Sequence, residues 1–267
     1  VSKKTISDAE FLRYQRQVSL PEIGEEGQHN LVNASVLVIG CGGLGSAALM
    51  YLAGAGIGKI VIADDDVVDV SNLHRQTIYR EEDLGVSKVA ATKRQLNALN
   101  PKVSIRTINK RMDSFQLGLE VSLADIVLDC SDNFESRHQL NEVCYKYSKP
   151  LISGAAIGWT GQVAMYSLGD DMPSTMGCYE CLYPKEHGNN QNQANARCSD
   201  LGVIGPIVGV IGNMQALLSI QHLAGMHEQI TTSKIHLFDG QTMQWQQLTI
   251  PKDPTCSVCG AHQKADF

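Results

Sequence analysis

The sequence predicts an α/β fold, a Rossmann-like, doubly wound and mostly parallel sheet continued by antiparallel strands and carrying a four-cysteine zinc site. Three observations predict it. SVLVIGCGGLGSAALMYLAGAGIGKIVIADDD runs through an apolar stretch, a glycine turn, a small-residue helix, a second apolar stretch and an acidic end, which is a βαβ unit. Strand and helix patterns then alternate to about residue 160, beyond which strands are separated by turns and loops. Two C-x-x-C pairs, CYEC at Cys178 and Cys181 and CSVC at Cys256 and Cys259, lie in that second part.

The elements follow in order. Ser7 and Glu10 make a capping box, with Ile6 and Phe11 as a hydrophobic staple, ahead of a short helix through FLRYQRQVSL. After the βαβ unit, a helix from Lys88 to Asn100 is stopped by Pro101, and a strand runs from about Val103 to Ile108. DIVLD reads as a buried strand, NFESRHQLNEVCYKY as a helix and PLISGAA as another strand. GQVAMYSL, KIHLFDG and MQWQQLTI are expected to form the antiparallel continuation. Between them, Pro184 to Arg197 is polar and nearly free of apolar residues, which suits a mobile crossover loop. The uncharged stretch from Gly202 to Ile220 contains glycines, Pro206, Asn213 and Gln215, favouring a loop and a buried or interface helix over a membrane span.

Composition bounds the function. With 267 residues, 43% of them hydrophobic, the chain can bury a sizeable core and is not intrinsically disordered. Its net charge of −6, without a cluster of Lys and Arg, argues against nucleic-acid binding by phosphate neutralisation. Behind the lysines of VSKKTISDAE there is no apolar signal stretch, so a reducing, cytoplasmic setting is expected. The eight cysteines then read as thiols or metal ligands rather than a disulfide framework.

Gly40, Gly42 and Gly45 in GCGGLG follow a strand and open a helix, where backbone amides and the helix dipole favour phosphate. Asp64 lies 19 residues past Gly45, at the end of the next strand, where a carboxylate binds a ribose hydroxyl. This fingerprint does not separate NAD from ATP. A Walker A motif is excluded by Ala53 and Ile60, which stand where it requires glycine and Ser or Thr. Ser71, Asn72, Arg75 and Gln76 in SNLHRQ, with Lys88, gather polar and cationic groups suited to a triphosphate, and Asp66 to its magnesium. The plain alternative is a solvated, charged loop. In DCSDN, Asp132 and Asn133 sit at a strand's carboxyl end, where they face phosphates; Asp129 is equally a cap or turn residue.

Four thiolates in two C-x-x-C knuckles make a tetrahedral zinc site with no open position, hence a structural one. Cys198 follows Arg197, which lowers a thiol's pKa, although a free surface cysteine is the plainer reading. Cys41, Cys130 and Cys144 read as small buried residues.

Together these motifs resemble the ThiF/MoeB/HesA family of sulfur-carrier protein adenylyltransferases, relatives of ubiquitin-activating enzymes. The resemblance spans nearly the whole chain and rests on RYQRQ, GCGGLG, ADDDVVDVSNLHRQ, GVSK, LDCSDN, SGAAIGWTGQ, GCYECLYP, CSDLGVIGPIVGVIG and CSVCG. LAGAGIGKIVIADDD, GCYECLYP and LFDGQTMQW look like the thiamine branch, SGAAI like the molybdopterin branch. The resemblance implies adenylation by ATP, with magnesium, of the C-terminal Gly-Gly carboxylate of a small β-grasp carrier, ThiS-like in the first place. The molybdopterin synthase small subunit, or another carboxylate such as a tRNA-linked one, is the alternative acceptor. Gly43 would approach the phosphates, Asp64 the ribose, and Asp132 the magnesium; Asn72, Arg75 and Lys88 would hold phosphates. Arg16 would reach into the partner's site of a homodimer, and Cys198 would take part in later sulfur transfer, with a sulfurtransferase as a further partner. Asp200, two residues on, opposes the effect of Arg197 on that thiol. One domain over residues 1–267 is expected, with a nucleotide-binding half to about 160 and a carrier- and zinc-binding half beyond.

Overall fold

Helix α1 (Asp8–Val18) starts on the expected capping box, in which the Ser7 hydroxyl accepts from the Glu10 amide while the Glu10 carboxylate accepts from the Ser7 amide. The computed structural model describes residues 5–171, 174–185, 202–227 and 234–260. Helix α2 (Gly24–Asn33) follows, an element that lacked a clear periodic signal. Then come β1 (Ser35–Ile39), α3 (Gly43–Ala55), β2 (Lys59–Ala63), α4 (Lys88–Leu99), β3 (Ser104–Ile108), α5 (Ser114–Leu123), β4 (Ile126–Asp129), α6 (Phe134–Lys146) and β5 (Leu151–Ile157). Strands β6 (Thr160–Tyr166), β7 (Lys234–Asp239) and β8 (Gln244–Thr249) complete the sheet, with the short helix α7 (Tyr179–Leu182) and the long α8 (Gly205–Leu223) between β6 and β7.

All eight strands form one sheet in the order β3-β2-β1-β4-β5-β6-β7-β8. The first five are parallel, with Leu37 beside both Val61 and Val127; β5 to β8 are antiparallel, as expected. Strand order reverses between β1 and β4. That is the topological switch point of an open α/β sheet, where a crevice opens outside the carboxyl ends of the strands.

Alternation along the strands divides the core in two. Val36, Val38, Ile60, Ile62 and Leu128 face α3, α4 and α8, whereas Leu37, Val61 and Val127 face α5, α6 and the C-terminal segment. Both faces are covered, which is why these strands read as continuous apolar runs. Small residues bring α8 against α3: a Cβ on Gly212 would lie 2.3 Å from the Leu44 carbonyl oxygen. The apolar composition of α8 is thus spent on burial between helix and sheet, and no helix among the described residues is long and apolar enough to cross a membrane. Most of the polar stretch expected as a crossover loop lies outside the described residues, as does Cys198 with its neighbours Arg197 and Asp200.

Candidate active site

The switch point holds a cleft of about 1270 Å³. Its floor is the glycine loop, and each glycine serves differently. Gly40 has φ of +97°, and a Cβ there would lie 2.6 Å from the Cys130 carbonyl oxygen, so the loop leans on the end of β4. A Cβ on Gly45 would lie 2.0 Å from the Gly40 oxygen, and one on Gly43 2.8 Å from Val208 of α8. Only at Gly42 is there room, the nearest neighbour being the Gln76 side chain at 3.8 Å. Gly40, Gly42 and Gly43 line the cleft; Gly45 acts beneath it, in packing. Gly42 is the N-cap of α3 and no side chain caps that end, leaving a helix N-terminus of the kind that attracts anions.

Asp64 is tied to this loop. Its carboxylate accepts from the Cys41 amide at 2.6 Å and the Asp66 amide at 2.9 Å, while burial pushes its pKa above the ordinary value. Lys88, the first residue of α4, is buried and donates to Asp66 at 2.8 Å. Asp66 is therefore the counter-ion of Lys88 through one carboxylate oxygen, and it groups with Asp64 and Asp65, one oxygen of each lying within 4.8 Å of the others.

SNLHRQ begins in a turn of 3-10 helix (Val70–Asn72) whose N-cap, Asp69, accepts from both the amide and the hydroxyl of Ser71. Ser71 is consumed in that cap and does not line the cleft, whereas Asn72, Arg75 and Gln76 do. Arg75 donates to the Ser71 carbonyl at 2.9 Å and lies 2.8 Å from His74. Gln76 is buried beside Gly42, and its amide oxygen has no hydrogen-bond partner among the described residues.

On the opposite wall, β4 ends at Asp129, whose buried carboxylate accepts from the Ser131 amide and hydroxyl and from the Ser153 hydroxyl. Of the two readings left open for Asp129, the structure has the turn. Asp132 stands exposed at the mouth, and Asn133 caps α6 by accepting from the Ser136 amide at 2.9 Å while also lining the cleft. Arg16 is exposed on α1 and is not among the described residues that line this cleft.

Three cationic residues of the lining were missed: Lys110 and Arg111 after β3, and Arg137 in α6. Arg111 pairs with Glu135 at 2.7 Å across the mouth, and Arg137 donates to the Ser131 carbonyl at 2.9 Å. Applying the sheet-edge rule to β3 as well as to β1, β2 and β4 would have found the first two. Beyond the glycine loop the cleft runs on past Gln162, Tyr183, Phe238, Gln244 and Gln246, giving it room for more than a nucleotide.

The four cysteines of the two knuckles converge behind the sheet's other face. Their sulfurs all lie within 4.8 Å of one another, with Cys178 to Cys256 at 3.7 Å, Cys181 to Cys259 at 3.3 Å and Cys178 to Cys181 at 4.0 Å. Ligands at about 2.3 Å in a tetrahedron around zinc place sulfurs about 3.8 Å apart, so the set fits that ion. Two donors point at sulfur, the Asn141 amide at Cys178 and the Asp253 backbone at Cys181, both at 3.4 Å, as thiolates require. Cys178, Cys256 and Cys259 belong to the same apolar cluster as Leu151, Tyr166 and Ile250. By contrast, Cys41, Cys130 and Cys144 are separate and buried, and burial pushes their thiols up, as suits inert packing residues.

Residues 14–258 match the family model of the ThiF family. The sulfur carrier protein ThiS adenylyltransferase of Escherichia coli is 39% identical over 96% of this chain and 97% of its own. The molybdopterin-synthase adenylyltransferase of Salmonella typhimurium is 41% identical over 96% and 98%. Among solved structures, that of E. coli MccB with ATP superposes with a TM-score of 0.79 at 26% identity, over 97% of this chain and 77% of that one. The chain thus belongs to the ThiF family and is an adenylyltransferase.

Proposed function

We propose that the chain uses ATP and magnesium to adenylate the C-terminal Gly-Gly carboxylate of a small β-grasp sulfur carrier, ThiS-like in the first reading. The observation that carries it is the juxtaposition, around one cleft, of an uncapped helix N-terminus, Lys88 and Arg75 on one side and Asp132 on the other. A C-terminal carboxylate has a pKa of about 3.5 and is ionised at neutral pH, so no general base is needed. One of its oxygens attacks the α-phosphorus of ATP, the bond from that phosphorus to the oxygen bridging to the β-phosphate breaks, and pyrophosphate leaves, so that a mixed anhydride of carrier and AMP remains.

The protein's work is to bring anions together. Gly42 and Gly43 offer backbone amides to phosphate, Asp64 takes a ribose hydroxyl, and Asn72, Gln76, Arg75 and Lys88 hold the phosphates. Asp132, with Asn133 beside it, would hold magnesium, which supplies positive charge to the phosphate oxygens. The polar extension past Gln162 and Gln246 receives the extended carrier tail. Arg16, exposed and remote from its own cleft lining, acts in the cleft of a second copy in a homodimer. Zinc on Cys178, Cys181, Cys256 and Cys259 would hold the C-terminal segment to the sheet and takes no part in adenylation.

A second reading, activation of the molybdopterin synthase small subunit, is favoured by the 41% identity to the Salmonella enzyme. ATP–pyrophosphate exchange tests both. Exchange is expected with a ThiS-like carrier and lost when its last two glycines are removed; faster exchange with the molybdopterin carrier selects the second reading. Absence of exchange with every Gly-Gly carrier would overturn the proposal.

A further inference from the structure

We propose that Gln215 is a positioning residue for adenylation, one that sets the end of β4, and hence Asp132, against the glycine loop. Gln215 lies in the middle of the largely apolar α8, and its side chain is wholly buried. Its amide nitrogen donates to the Asp129 carbonyl at 2.8 Å and to the Ile152 carbonyl at 3.2 Å, joining the end of β4 to the start of β5. Its amide oxygen accepts from the Cys130 thiol at 3.4 Å. The carboxamide thus touches the Asp129 carbonyl and the Cys130 side chain of one short stretch and, through Ile152, the neighbouring strand.

That stretch supports both walls of the cleft. Gly40 packs against the Cys130 carbonyl so closely that a Cβ would lie 2.6 Å from it, and Asp132 is the second residue after Cys130. A buried amide with both ends satisfied by backbone and thiol holds its place, since moving it would leave its own buried N–H groups unpaired. The sequence makes room for it: a Cβ on Gly154 would lie 2.6 Å from the Gln215 carboxamide, so β5 carries glycine at that point. Neither Gln215 nor Gly154 lines the cleft, so neither touches substrate.

The inference rests on the adenylation reading, and its test separates the two. Gln215→Met keeps the volume and removes the donors; Gly154→Ala displaces the same amide from the β5 side. In exchange assays with a carrier that the unaltered chain activates, each is expected to lower kcat roughly 10- to 100-fold, with KM for ATP within about threefold. KM is spared because Asp64, Asn72, Arg75 and Lys88 stand on other elements. Gln215→Glu, protonated when so buried, retains one donor for the Asp129 carbonyl and should recover part of kcat. If Gln215→Met does not fold, the other two variants decide on the same split. A folded variant with unaltered kcat, or a loss carried wholly by KM, would overturn the role of Gln215. No exchange by the unaltered chain with any carrier would instead overturn the reading beneath it.

Discussion

The cleft and the cysteine cluster solve opposite problems. In the cluster, four like ligands from two short knuckles close on one point, and three of them are buried in an apolar cluster with Tyr166 and Ile250. In the cleft, unlike groups from the ends of β1, β2 and β4, the SNLHRQ turn and the start of α4 surround an open volume. The first arrangement is complete in itself; the second is completed only by substrate. A closed site should govern stability and leave chemistry alone, while an open site should govern chemistry at little cost in stability.

The largest effect belongs to Asp132→Ala. The side chain is exposed, and the contact it makes is a 3.4 Å hydrogen bond accepted from Asn133. Exchange should fall by about 10²- to 10³-fold or more, as when an electrostatic group at a reacting phosphate is removed. Thermal unfolding should stay within about 2 °C, since exposed substitutions change little. A variant that melts early would place Asp132 in the scaffold and blur the division.

Next comes removal of the metal. Treating zinc-loaded protein with a strong chelator should lower Tm by more than about 10 °C, because a structural zinc site contributes folding energy outright. Four further thiols should become open to alkylation, while Cys41, Cys130 and Cys144 stay silent until global unfolding, their thiols being buried and raised in pKa. The embedding of Cys178, Cys256 and Cys259 in the core ties the loosening of the C-terminal segment to the sheet's α6 face. ATP affinity of the chelated protein, measured below its new Tm, should hold within about threefold if the sites are independent. A parallel collapse of nucleotide binding and stability would join the two regions.

Within the glycine loop the same contrast appears between neighbours. Gly45→Ala pushes a methyl to 2.0 Å from the Gly40 oxygen and should cost several kcal/mol, since that contact is backbone on backbone. Gly42→Ala meets nothing closer than 3.8 Å and should fold, yet its methyl projects beside Gln76 in the lining and should raise KM for ATP about tenfold. Melting curves and exchange kinetics of the pair distinguish a packing glycine from a ligand-facing one.

How legible each region was follows from its geometry. The cysteines could be paired from spacing alone, because two residues between ligands fix a knuckle and thiolates in fours have one common use. Strand alternation gave the parallel half of the sheet, and the glycine turn marked where β1 must end. The remaining lining was legible only as a grouping: no spacing relates Asp64 to Asp132, and the switch point joins them only after the strands are ordered. Ser71 shows the difficulty, as its motif suggests a ligand and its hydroxyl donates to the turn cap Asp69. Lys110, Arg111 and Arg137 went unseen because a single cation after a strand or in a helix resembles any surface charge. Helices α2 and α5 were missed for a related reason, being short and bounded by loops without strong stop signals. Gln215 was noticed only as an argument against a membrane helix, since a buried strut has no local signature.

The smallest effect tests whether the mouth of the cleft is held at all. Arg111 and Glu135 meet at 2.7 Å, one from the loop after β3 and the other from the first turn of α6, with side chains 62% and 77% exposed. An ion pair so exposed contributes about 0 to 1 kcal/mol, and less as salt screens it. Glu135→Gln should therefore leave Tm within about 1 °C. It also frees a cation of the lining to turn toward a triphosphate, so KM for ATP should fall by up to about threefold at low ionic strength, the change vanishing in high salt. A rise in KM would mean that the pair itself shapes the entrance. A loss of stability above about 1 kcal/mol would mean that this rim, unlike the rest of the cleft, is built in the manner of the cysteine cluster.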